Sequence, residues 1–352
     1  DPISVVDEME EIVGKYNVKL FNFQDSAFDD PGKLGQKRSR AICEEIIKRG
    51  LEVSIKVYYR AHPVKDGPDD IALYRLYKEA GIDVIIFGVE AGSNYELELY
   101  GKTARVEDNY RCLKIMHELD LFFCHVGIIM FGPYSTFSTL RENYRFMYQN
   151  QLFYWYCIIS NSLIVTPGAA IYNKMKPEGR IIPRNNYWEY PDYEFRDLKI
   201  KELALHYQHL RALYPHIDLG SPLVLKAENI ITRLKNKMNK KVAASCKCEI
   251  EIFKDIYYKN KKTLNELGYH GTKENLERIE KDGLKADLVS ASEPYFGKSW
   301  ESAIYAIEMA YLNLIDCIQA AGFSLGGLVY DVELTKRERR TNNLESMGSR
   351  KK

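Results

Sequence analysis

One carboxylate in this sequence stands directly after a short apolar segment. Residues 84–87 (Val-Ile-Ile-Phe) form a continuous apolar run that is typical of a strand buried on both faces. Gly88 and Gly92 follow, and glycines allow the backbone to turn sharply or to approach a ligand closely. Glu90 lies between them. Because α/β barrels hold ligands at the C-terminal ends of their strands, this position favours a binding role for Glu90 over the alternative of a helix-capping acid.

Thiol and imidazole side chains do not indicate a metal site. The seven cysteines have scattered spacings, which is typical of a reducing compartment rather than of a disulfide framework. Cys246 and Cys248 are separated by one lysine and supply only two thiols, so we interpret them as structural. His206 and His209 are three residues apart on a predicted helix, and packing or exposure is favoured over metal ligation. We therefore predict no metal ligands in this chain.

Composition excludes several classes of protein. The chain has 50 basic and 49 acidic residues, so its net charge of +1 creates no field that favours nucleic acid. There is no run of about 18 apolar residues and no signal peptide, which predicts a cytoplasmic protein that does not enter a membrane. The sequence begins at Asp1 and Pro2, without methionine and already within a predicted helix. We therefore expect it to be a piece of a longer protein.

Strands and helices alternate in the first half of the chain. Strands are predicted at residues 18–23, 52–60, 82–87, 122–130 and 153–165, and helices at residues 2–17, 34–49 and 69–80 and around Tyr110 and Tyr144. One strand and one helix recur roughly every 30 to 40 residues, which predicts an α/β fold with a partial parallel barrel of the TIM type. A sixth strand would most naturally precede Asp1.

The sequence divides into three regions. We predict a partial barrel at residues 1–182, a helical extension at residues 183–263 and a small α+β domain at residues 264–352. In the extension, residues 198–214 and 224–262 have the pattern of helices with lysine-rich faces. In the last region, residues 299–313 predict a helix and residues 327–334 predict a strand.

Five short motifs at the strand ends of the barrel resemble the core of radical S-adenosylmethionine enzymes. They are residues 21–25 (Phe-Asn-Phe-Gln-Asp), 58–60 (Tyr-Tyr-Arg), 88–93 (Gly-Val-Glu-Ala-Gly-Ser) with 97–102 after it, 127–133 (Gly-Ile-Ile-Met-Phe-Gly-Pro) and 163–168 (Leu-Ile-Val-Thr-Pro-Gly) extending to Tyr172. The likeness is greatest to the group that often carries an N-terminal cobalamin-binding domain. It covers residues 1–182, and the order and spacing of the motifs carry it.

This resemblance implies an enzyme that uses a 4Fe-4S cluster and S-adenosylmethionine. In the family, the cluster binds the amino and carboxylate groups of S-adenosylmethionine, and reductive cleavage gives a 5′-deoxyadenosyl radical that takes hydrogen from the substrate. The protein positions the cofactors and excludes water. An electron donor such as flavodoxin or ferredoxin, a small-molecule or peptide substrate, and cobalamin held by a missing N-terminal domain are further implications. Substrate and reaction type are left open, since methyl transfer, cyclisation and oxidation share this core.

By the same resemblance, eight residues bind the cofactor: Asp25, Arg60, Glu90, Ser93, Lys102, Gly132, Pro133 and Thr166. Asp25 would face the amino group of the sulfonium ligand, and Glu90 with Ser93 would lie beside its methionyl or ribose end. Lys102 would offer its ammonium to a carboxylate, as a charge-assisted contact. The alternative for Lys102 is a solvated lysine in a loop. Gly132, Pro133 and Thr166 would shape the adenine end.

The sequence departs from the family at the cluster. A radical S-adenosylmethionine enzyme needs three thiolates in a Cys-x-x-x-Cys-x-x-Cys pattern, because thiolates are the ligands of the cluster. No such triplet occurs in this chain. We therefore expect the polypeptide to be inactive by itself, without upstream cysteines. A barrel that binds a ligand or partner without catalysis is the alternative.

The last region resembles the ADP-ribosyltransferase-like fold. The start Tyr-His-Gly-Thr at residues 269–272, a following helix and the strand at residues 327–334 carry this likeness. It implies that His270 contacts a ribose of nicotinamide adenine dinucleotide, and that Tyr295 stacks on nicotinamide. No residue matches the late catalytic glutamate of that family. A dinucleotide-dependent ADP-ribosyl or phosphate transferase and a plain α+β tail are both left open.

Overall fold

The computed structural model describes residues 1–30, 32–184, 186 and 189–329. In this part of the chain, four parallel strands form one sheet with the order β1-β2-β3-β4. In chain order, the elements of this half are α1 (Pro2–Tyr16), β1 (Leu20–Asn22), α2 (Gly32–Lys48), β2 (Ser54–Arg60), α3 (Pro68–Glu79), β3 (Ile82–Glu90), α4 (Asn94–Leu99), α5 (Val106–Leu119), β4 (Phe123–Ile128) and α6 (Phe137–Gln149). The predicted α/β class and partial parallel barrel are confirmed.

The apolar run of the central strand is buried as its composition predicts. Along β3, Val84, Ile85 and Phe87 are each at most 3% exposed. On one face of the sheet, Tyr59 and Phe87 make an edge-to-face aromatic contact with ring centroids 6.0 Å apart. Tyr59 also meets Tyr77 of α3 at 6.3 Å. Helices therefore cover this face, and their apolar side chains hold the strands in register.

The fifth predicted strand is wrong. Residues 153–165 contain the short helix α7 (Tyr156–Ile159) and a single parallel bridge, between Phe131 and Ser162. Long-range contacts hold this segment in its own conformation: the Phe153 amide donates to Asn265 Oδ1 at 3.0 Å, and the Tyr156 hydroxyl donates to a backbone carbonyl, that of Tyr207, at 2.7 Å. These bonds to the helical half replace a strand ladder, so tertiary contacts override the β propensity of the aromatic residues.

The second half of the described chain is helical apart from one two-stranded pair. Its elements are α8 (Ala170–Met175), β5 (Ile181–Ile182), β6 (Asp192–Tyr193), α9 (Leu198–Leu213), α10 (Pro215–Leu234), α11 (Lys240–Ser245), α12 (Lys247–Asp282), α13 (Leu288–Phe296) and α14 (Lys298–Ala320), with 3-10 turns at Lys237–Asn239 and Gly283–Lys285. The predicted helices at residues 198–214 and 299–313 are confirmed. The predicted helix at residues 224–262 is divided between α10, α11 and α12.

The segment expected to open an ADP-ribosyltransferase-like fold is helical, so that prediction is wrong. His270 lies on α12 and not on a strand, with its side chain 56% exposed and Nε2 3.7 Å from the Glu266 carboxylate one turn earlier. The neighbouring glycines serve helix packing, because a Cβ atom on Gly268 would lie 2.9 Å from Phe153 and one on Gly271 would lie 2.6 Å from Phe296. Tyr295 belongs to helix α13. Most of the strand predicted at residues 327–334 lies outside the described residues.

The helical half packs against the start of the sheet. Asn236, just after α10, donates from Nδ2 to the Val53 carbonyl at 3.1 Å and to Asp83 Oδ2 at 2.9 Å. Asp83 is fully buried and also pairs with Lys78 at 2.5 Å. One continuous apolar core contains residues from α1 through Val329. The boundary predicted at residue 264 lies within α12. The division into domains at residues 182 and 264 stays a prediction.

No helix of the described chain combines the length and apolar character that crossing a membrane requires.

Candidate functional site at the C-terminal edge of the sheet

Glu90 ends β3 in a backbone conformation that side chains rarely adopt. Its φ is +66°, and the register between β3 and β4 shifts between Gly88 and Glu90. The left-handed conformation costs a residue with a side chain roughly 1–2 kcal/mol. Asn109, a fully buried residue of α5, stabilises the turn by donating from Nδ2 to the carbonyls of Val89 at 3.0 Å and Ala91 at 3.1 Å. Strain of this kind is concentrated at functional sites.

Lys102 contacts Glu90 directly. Its Nζ lies 2.8 Å from Glu90 Oε1, and the two side chains are 43% and 24% exposed, respectively. The lysine stands three residues after α4, where its amide donates to the Leu97 carbonyl at 2.9 Å. The sequence left open a solvated loop lysine, and the structure instead joins both residues in one ion pair. An anion and a cation are thereby presented together at the strand edge.

Ser93 supplies a buried hydroxyl beside this pair in sequence. Its side chain is fully buried, yet Oγ makes no hydrogen bond within the described part of the chain. It stands at the N-terminal cap of α4 but does not cap that helix with its side chain. A buried polar group without a partner costs about 1–3 kcal/mol. A ligand that accepted or donated a hydrogen bond here would offset that cost.

A buried hydrogen-bond network joins the loop after β3 to the loop after β4. The Gly92 amide donates to Asn143 Oδ1 at 2.7 Å, and Asn143 Nδ2 donates to Glu96 Oε2 at 2.7 Å. Ser135 Oγ donates to Glu96 Oε1 at 2.6 Å and accepts from the Gly132 amide at 2.9 Å. Burial raises the pKa of Glu96, against the hydrogen bonds from Ser135 and Asn143 that lower it. The network fixes the two glycine loops relative to each other.

Both of these glycines are required by close packing. A Cβ atom on Gly92 would lie 2.4 Å from Phe146 Cβ on α6, and one on Gly132 would lie 2.8 Å from the Tyr100 hydroxyl. These distances are too short for any side chain without a shift of the neighbour. From the sequence, a glycine here could serve a sharp turn or the close approach of a ligand. In the structure, Gly92 packs closely against helix α6 and Gly132 against Tyr100. Sequence reasoning missed Glu96 and Asn143, because polar residues on amphipathic helices are usually interpreted as facing solvent. It also missed Ser135, which lies in the loop before α6.

Arg60 lies at the same edge, on the neighbouring strand. Its register partner in β3 is Gly88, and its Nη2 lies 3.1 Å from Asp30 Oδ1 and 3.5 Å from Asp29 Oδ2. Asp29 is fully buried, and burial raises the pKa of its carboxyl although the Arg60 cation opposes that shift. The sequence did not indicate Asp29. Arg60 thus adds a second cation to the edge of the sheet that carries Glu90. The charge of this arginine is already balanced by Asp29 and Asp30.

The remaining predicted residues lie on loops around this edge. Asp25 is exposed after β1. Pro133 is buried, and its carbonyl accepts from the Arg196 amide at 2.8 Å, while Thr166 is exposed and its carbonyl accepts from the Ala169 amide at 3.1 Å. The structure joins Glu90 to Lys102 through contact and Gly132 to the β3 loop through the network. It records no side-chain contact that brings Asp25, Pro133 or Thr166 to Glu90.

The described residues contain no group of three histidine, cysteine or acidic side chains that could hold a metal ion. Cys246 is buried and Cys248 is exposed, so their side chains do not converge. His206 is buried, with Nε2 2.9 Å from Ser292 Oγ, and burial lowers its pKa to about 4. His209 is exposed. These histidines are structural or solvated within this part of the chain.

No family model matches the sequence. It is 30% identical over 189 residues to the anaerobic magnesium-protoporphyrin IX monomethyl ester cyclase of Cereibacter sphaeroides, a match that covers 53% of this chain and 29% of that protein. It is 29% identical over 125 residues to the 4'-phospho-dehydrooxetanocin synthase of Priestia megaterium, covering 33% of this chain and 17% of that protein. The chain thus spans less than a third of these curated relatives.

Among solved structures, the cobalamin-dependent S-adenosylmethionine radical enzyme OxsB, with aqua-cobalamin and S-adenosylmethionine bound, superposes with a TM-score of 0.56 at 18% identity. This likeness covers 98% of the chain and 54% of OxsB. The chain has the fold of a radical S-adenosylmethionine enzyme. The radical S-adenosylmethionine resemblance of the strand-end motifs is confirmed, and the likeness extends through the helical half. The ADP-ribosyltransferase-like resemblance finds no support.

Proposed function

We propose that this chain is the S-adenosylmethionine-binding core of a radical S-adenosylmethionine enzyme that acts on a small-molecule substrate. Glu90, Ser93 and Lys102 would hold S-adenosylmethionine, which would supply radical chemistry of this class when bound. The observation that carries the proposal is the pairing of Glu90 with Lys102 at the edge of the central strand. Ser93, three residues after Glu90, adds a buried hydroxyl that has no hydrogen-bond partner among the described residues. The names of the curated relatives, a cyclase and a synthase, support catalysis of this class.

The chemistry of the three side chains fits S-adenosylmethionine. The ligand carries an ammonium, a carboxylate and hydroxyl groups, which complement an acid, a base and a neutral hydroxyl. Lys102 Nζ lies 2.8 Å from Glu90 Oε1, so the cation and the anion are already next to each other. The two side chains need little rearrangement to face the opposite charges of zwitterionic S-adenosylmethionine. The network through Glu96 holds the flanking loops rigid, which reduces the entropy lost on binding.

The 4Fe-4S cluster does not fit the residues described. No three thiolates occur together, and no group of metal-binding side chains converges within the described chain. Ligands for the cluster would therefore come from outside this sequence. Use of cobalamin, as in OxsB, an electron donor such as flavodoxin or ferredoxin, and a cytoplasmic location belong to the same proposal.

The experiment compares two buried serines in the full-length protein. Ser93→Ala removes a hydroxyl that has no hydrogen-bond partner among the described residues, so the free energy of unfolding should stay equal or rise. The affinity for S-adenosylmethionine should fall about 2- to 12-fold, the equivalent of one neutral hydrogen bond. As the matched control, Ser39→Ala removes a buried hydroxyl that bonds to Tyr77 Oη at 2.6 Å. That variant should lose about 1 kcal/mol of stability and no affinity.

Urea unfolding gives the stabilities, and equilibrium dialysis gives the affinities. Formation of 5′-deoxyadenosine is measured in parallel on anaerobically reconstituted protein. A non-catalytic barrel would produce no 5′-deoxyadenosine, and this alternative would then replace the proposal. Loss of stability in Ser93→Ala with unchanged affinity would mean that the hydroxyl is structural.

A further inference from the structure

The C-terminal end of β3 contains a bulge at Glu90. Gly88 is the register partner of Gly127. Two residues later, Glu90 pairs with Ile128, which is only one residue further along β4. Bulges next to functional sites re-aim a side chain that a regular strand would direct elsewhere. Here the bulged residue is the acid whose Oε1 lies 2.8 Å from Lys102 Nζ, so the direction of this carboxylate depends on the local backbone.

Two hydrogen bonds within the main chain define the backbone of this bulge. The Ala91 amide donates to the Val89 carbonyl at 2.8 Å, which closes a three-residue turn around Glu90. The Glu90 carbonyl accepts from the Ile129 amide of the neighbouring chain segment at 2.7 Å. With a central φ of +66°, the turn corresponds to the strained form of the γ-turn, which is rare. Such a conformation persists only where the surrounding structure holds it in place.

Asn109 on α5 holds this turn from the side. Its Nδ2 group donates to the carbonyls on both sides of Glu90, those of Val89 at 3.0 Å and Ala91 at 3.1 Å. A carbonyl can only accept, so both bonds require the NH2 end of the amide. Asn109 is fully buried, and its Oδ1 has no hydrogen-bond partner among the described residues. Within this part of the chain, the side-chain amide therefore makes hydrogen bonds only to the turn.

The start of α5 is itself fixed to neighbouring segments. Arg111 Nε donates to the Val64 carbonyl in the loop after β2 at 3.1 Å. The Val106 amide, at the first residue of α5, donates to Asn94 Oδ1 at the first residue of α4 at 3.0 Å. A supporting group on a helix that is held in this way places its partner more precisely than a group on a loop. Asn109 is therefore a rigid support for the turn.

We propose that Asn109 is a positioning residue of the candidate site, which holds the turn and thereby directs the Glu90 carboxylate toward the charged groups of S-adenosylmethionine. It acts through Glu90 and not by contact with the ligand, since its own side chain is fully buried. The inference rests on the proposed function, because it concerns the orientation of an acid that the proposed function assigns to the ligand.

The test is a double-mutant cycle in the full-length protein, with the affinity for S-adenosylmethionine measured by equilibrium dialysis. Asn109→Ala should weaken binding by a factor that approaches the about 10- to 150-fold loss expected for Glu90→Gln, because the carboxylate is present but misdirected. In the Glu90→Gln background, Asn109→Ala should cost much less affinity, since the contact that it supports is already lost. An equal factor in both backgrounds would mean a general structural role and overturns the inference.

A second measurement needs no ligand. Hydrogen exchange of the Ala91 amide, which closes the turn, should be faster in Asn109→Ala than in wild type. As the matched control, Asn275→Ala removes a fully buried amide of α12 that donates from Nδ2 to Ser292 Oγ at 2.8 Å. The Oδ1 atom of Asn275 also has no hydrogen-bond partner in the described chain. This control should lose stability in urea unfolding and change neither the exchange of Ala91 nor the affinity.

A variant of equal size is used if Asn109→Ala does not fold. Asn109→Asp keeps the size of the side chain, leaves at most one donor, and should change exchange and affinity in the same directions. Unchanged exchange of Ala91 in a folded Asn109 variant overturns the inference. Loss of affinity in Glu90→Gln together with wild-type affinity in the Asn109 variant refutes the inference alone. Wild-type affinity in Glu90→Gln refutes the proposed function, and the inference with it.

Discussion

Replacing Glu90 by glycine should separate stability from binding at the candidate site. In most positions, removal of a paired side chain weakens the fold and the function together. At Glu90 the backbone has a φ of +66°, a conformation that glycine adopts without a steric penalty. Glu90→Gly should therefore abolish most S-adenosylmethionine binding in a protein that is as stable as wild type.

The opposing contributions to the free energy of unfolding can be added. Relief of the left-handed conformation gains roughly 1–2 kcal/mol. Loss of the Lys102 ion pair, whose side chains are 24% and 43% exposed, costs about 0–1 kcal/mol because solvent screens it. The greater freedom of glycine in the unfolded chain costs roughly another 0.5–1 kcal/mol. The net change lies between a loss of about 1 and a gain of about 1.5 kcal/mol.

The affinity of the Glu90→Gly protein for S-adenosylmethionine should fall, in contrast to its nearly unchanged stability. Loss of one charge-assisted hydrogen bond costs about 1.5–3 kcal/mol, which is about a 10- to 150-fold loss of affinity for S-adenosylmethionine. Glu90→Gln should lose the same affinity but keep the backbone strain, so it should be no more stable than the glycine variant. As a control, Gln151→Gly relieves a comparable conformation (φ +54°) at an exposed position and should leave affinity unchanged.

The assay combines urea unfolding with equilibrium dialysis on the full-length, cluster-loaded protein. Wild-type affinity in either Glu90 variant, at unchanged stability, would refute the assignment of Glu90 to the ligand. A glycine variant that is several kcal/mol less stable than wild type would instead show that Glu90 is a structural residue, and that its strained backbone depends on the side chain.

Two further predictions concern the network and the cluster. Because burial raises the pKa of Glu96, the fold favours its neutral form: this stabilisation is complete below the ordinary pKa of a glutamate and is lost as pH rises through the folded pKa. Glu96→Gln should therefore become more stable relative to wild type between pH 4 and pH 8 in urea unfolding, and a constant difference would contradict the argument. This polypeptide, reconstituted with iron and sulfide without oxygen, should not hold a stoichiometric 4Fe-4S cluster; strong absorbance lost in a Cys246→Ser, Cys248→Ser protein would move the cluster to the extension.

The local sequence pattern was sufficient to predict the half of the fold in which strands and helices alternate. Strands β2, β3 and β4 coincide within a few residues with the predicted segments, because each is a short apolar run between helices of regular spacing. Their parallel order places the loops after them at one edge, so the sequence alone brought Arg60, Glu90 and Lys102 to the same site. The Cys-x-x-x-Cys-x-x-Cys pattern is also a property of the sequence, and its absence needed no structure.

Contacts between segments that are far apart in the sequence determined the parts of the fold and of the site that the local pattern did not predict. Residues 153–165 have strand composition, yet Asn265 and Tyr207 bind their backbone and side chains from the helical half. Residues 269–272 resemble the start of an ADP-ribosyltransferase-like fold, yet Gly268 and Gly271 allow a long helix to approach its neighbours. A hydrogen bond such as that between Ser135 and Glu96 joins residues 39 positions apart, which no local pattern encodes. Propensity acts over one or two turns of chain, whereas burial and hydrogen-bond satisfaction depend on what the rest of the molecule places nearby.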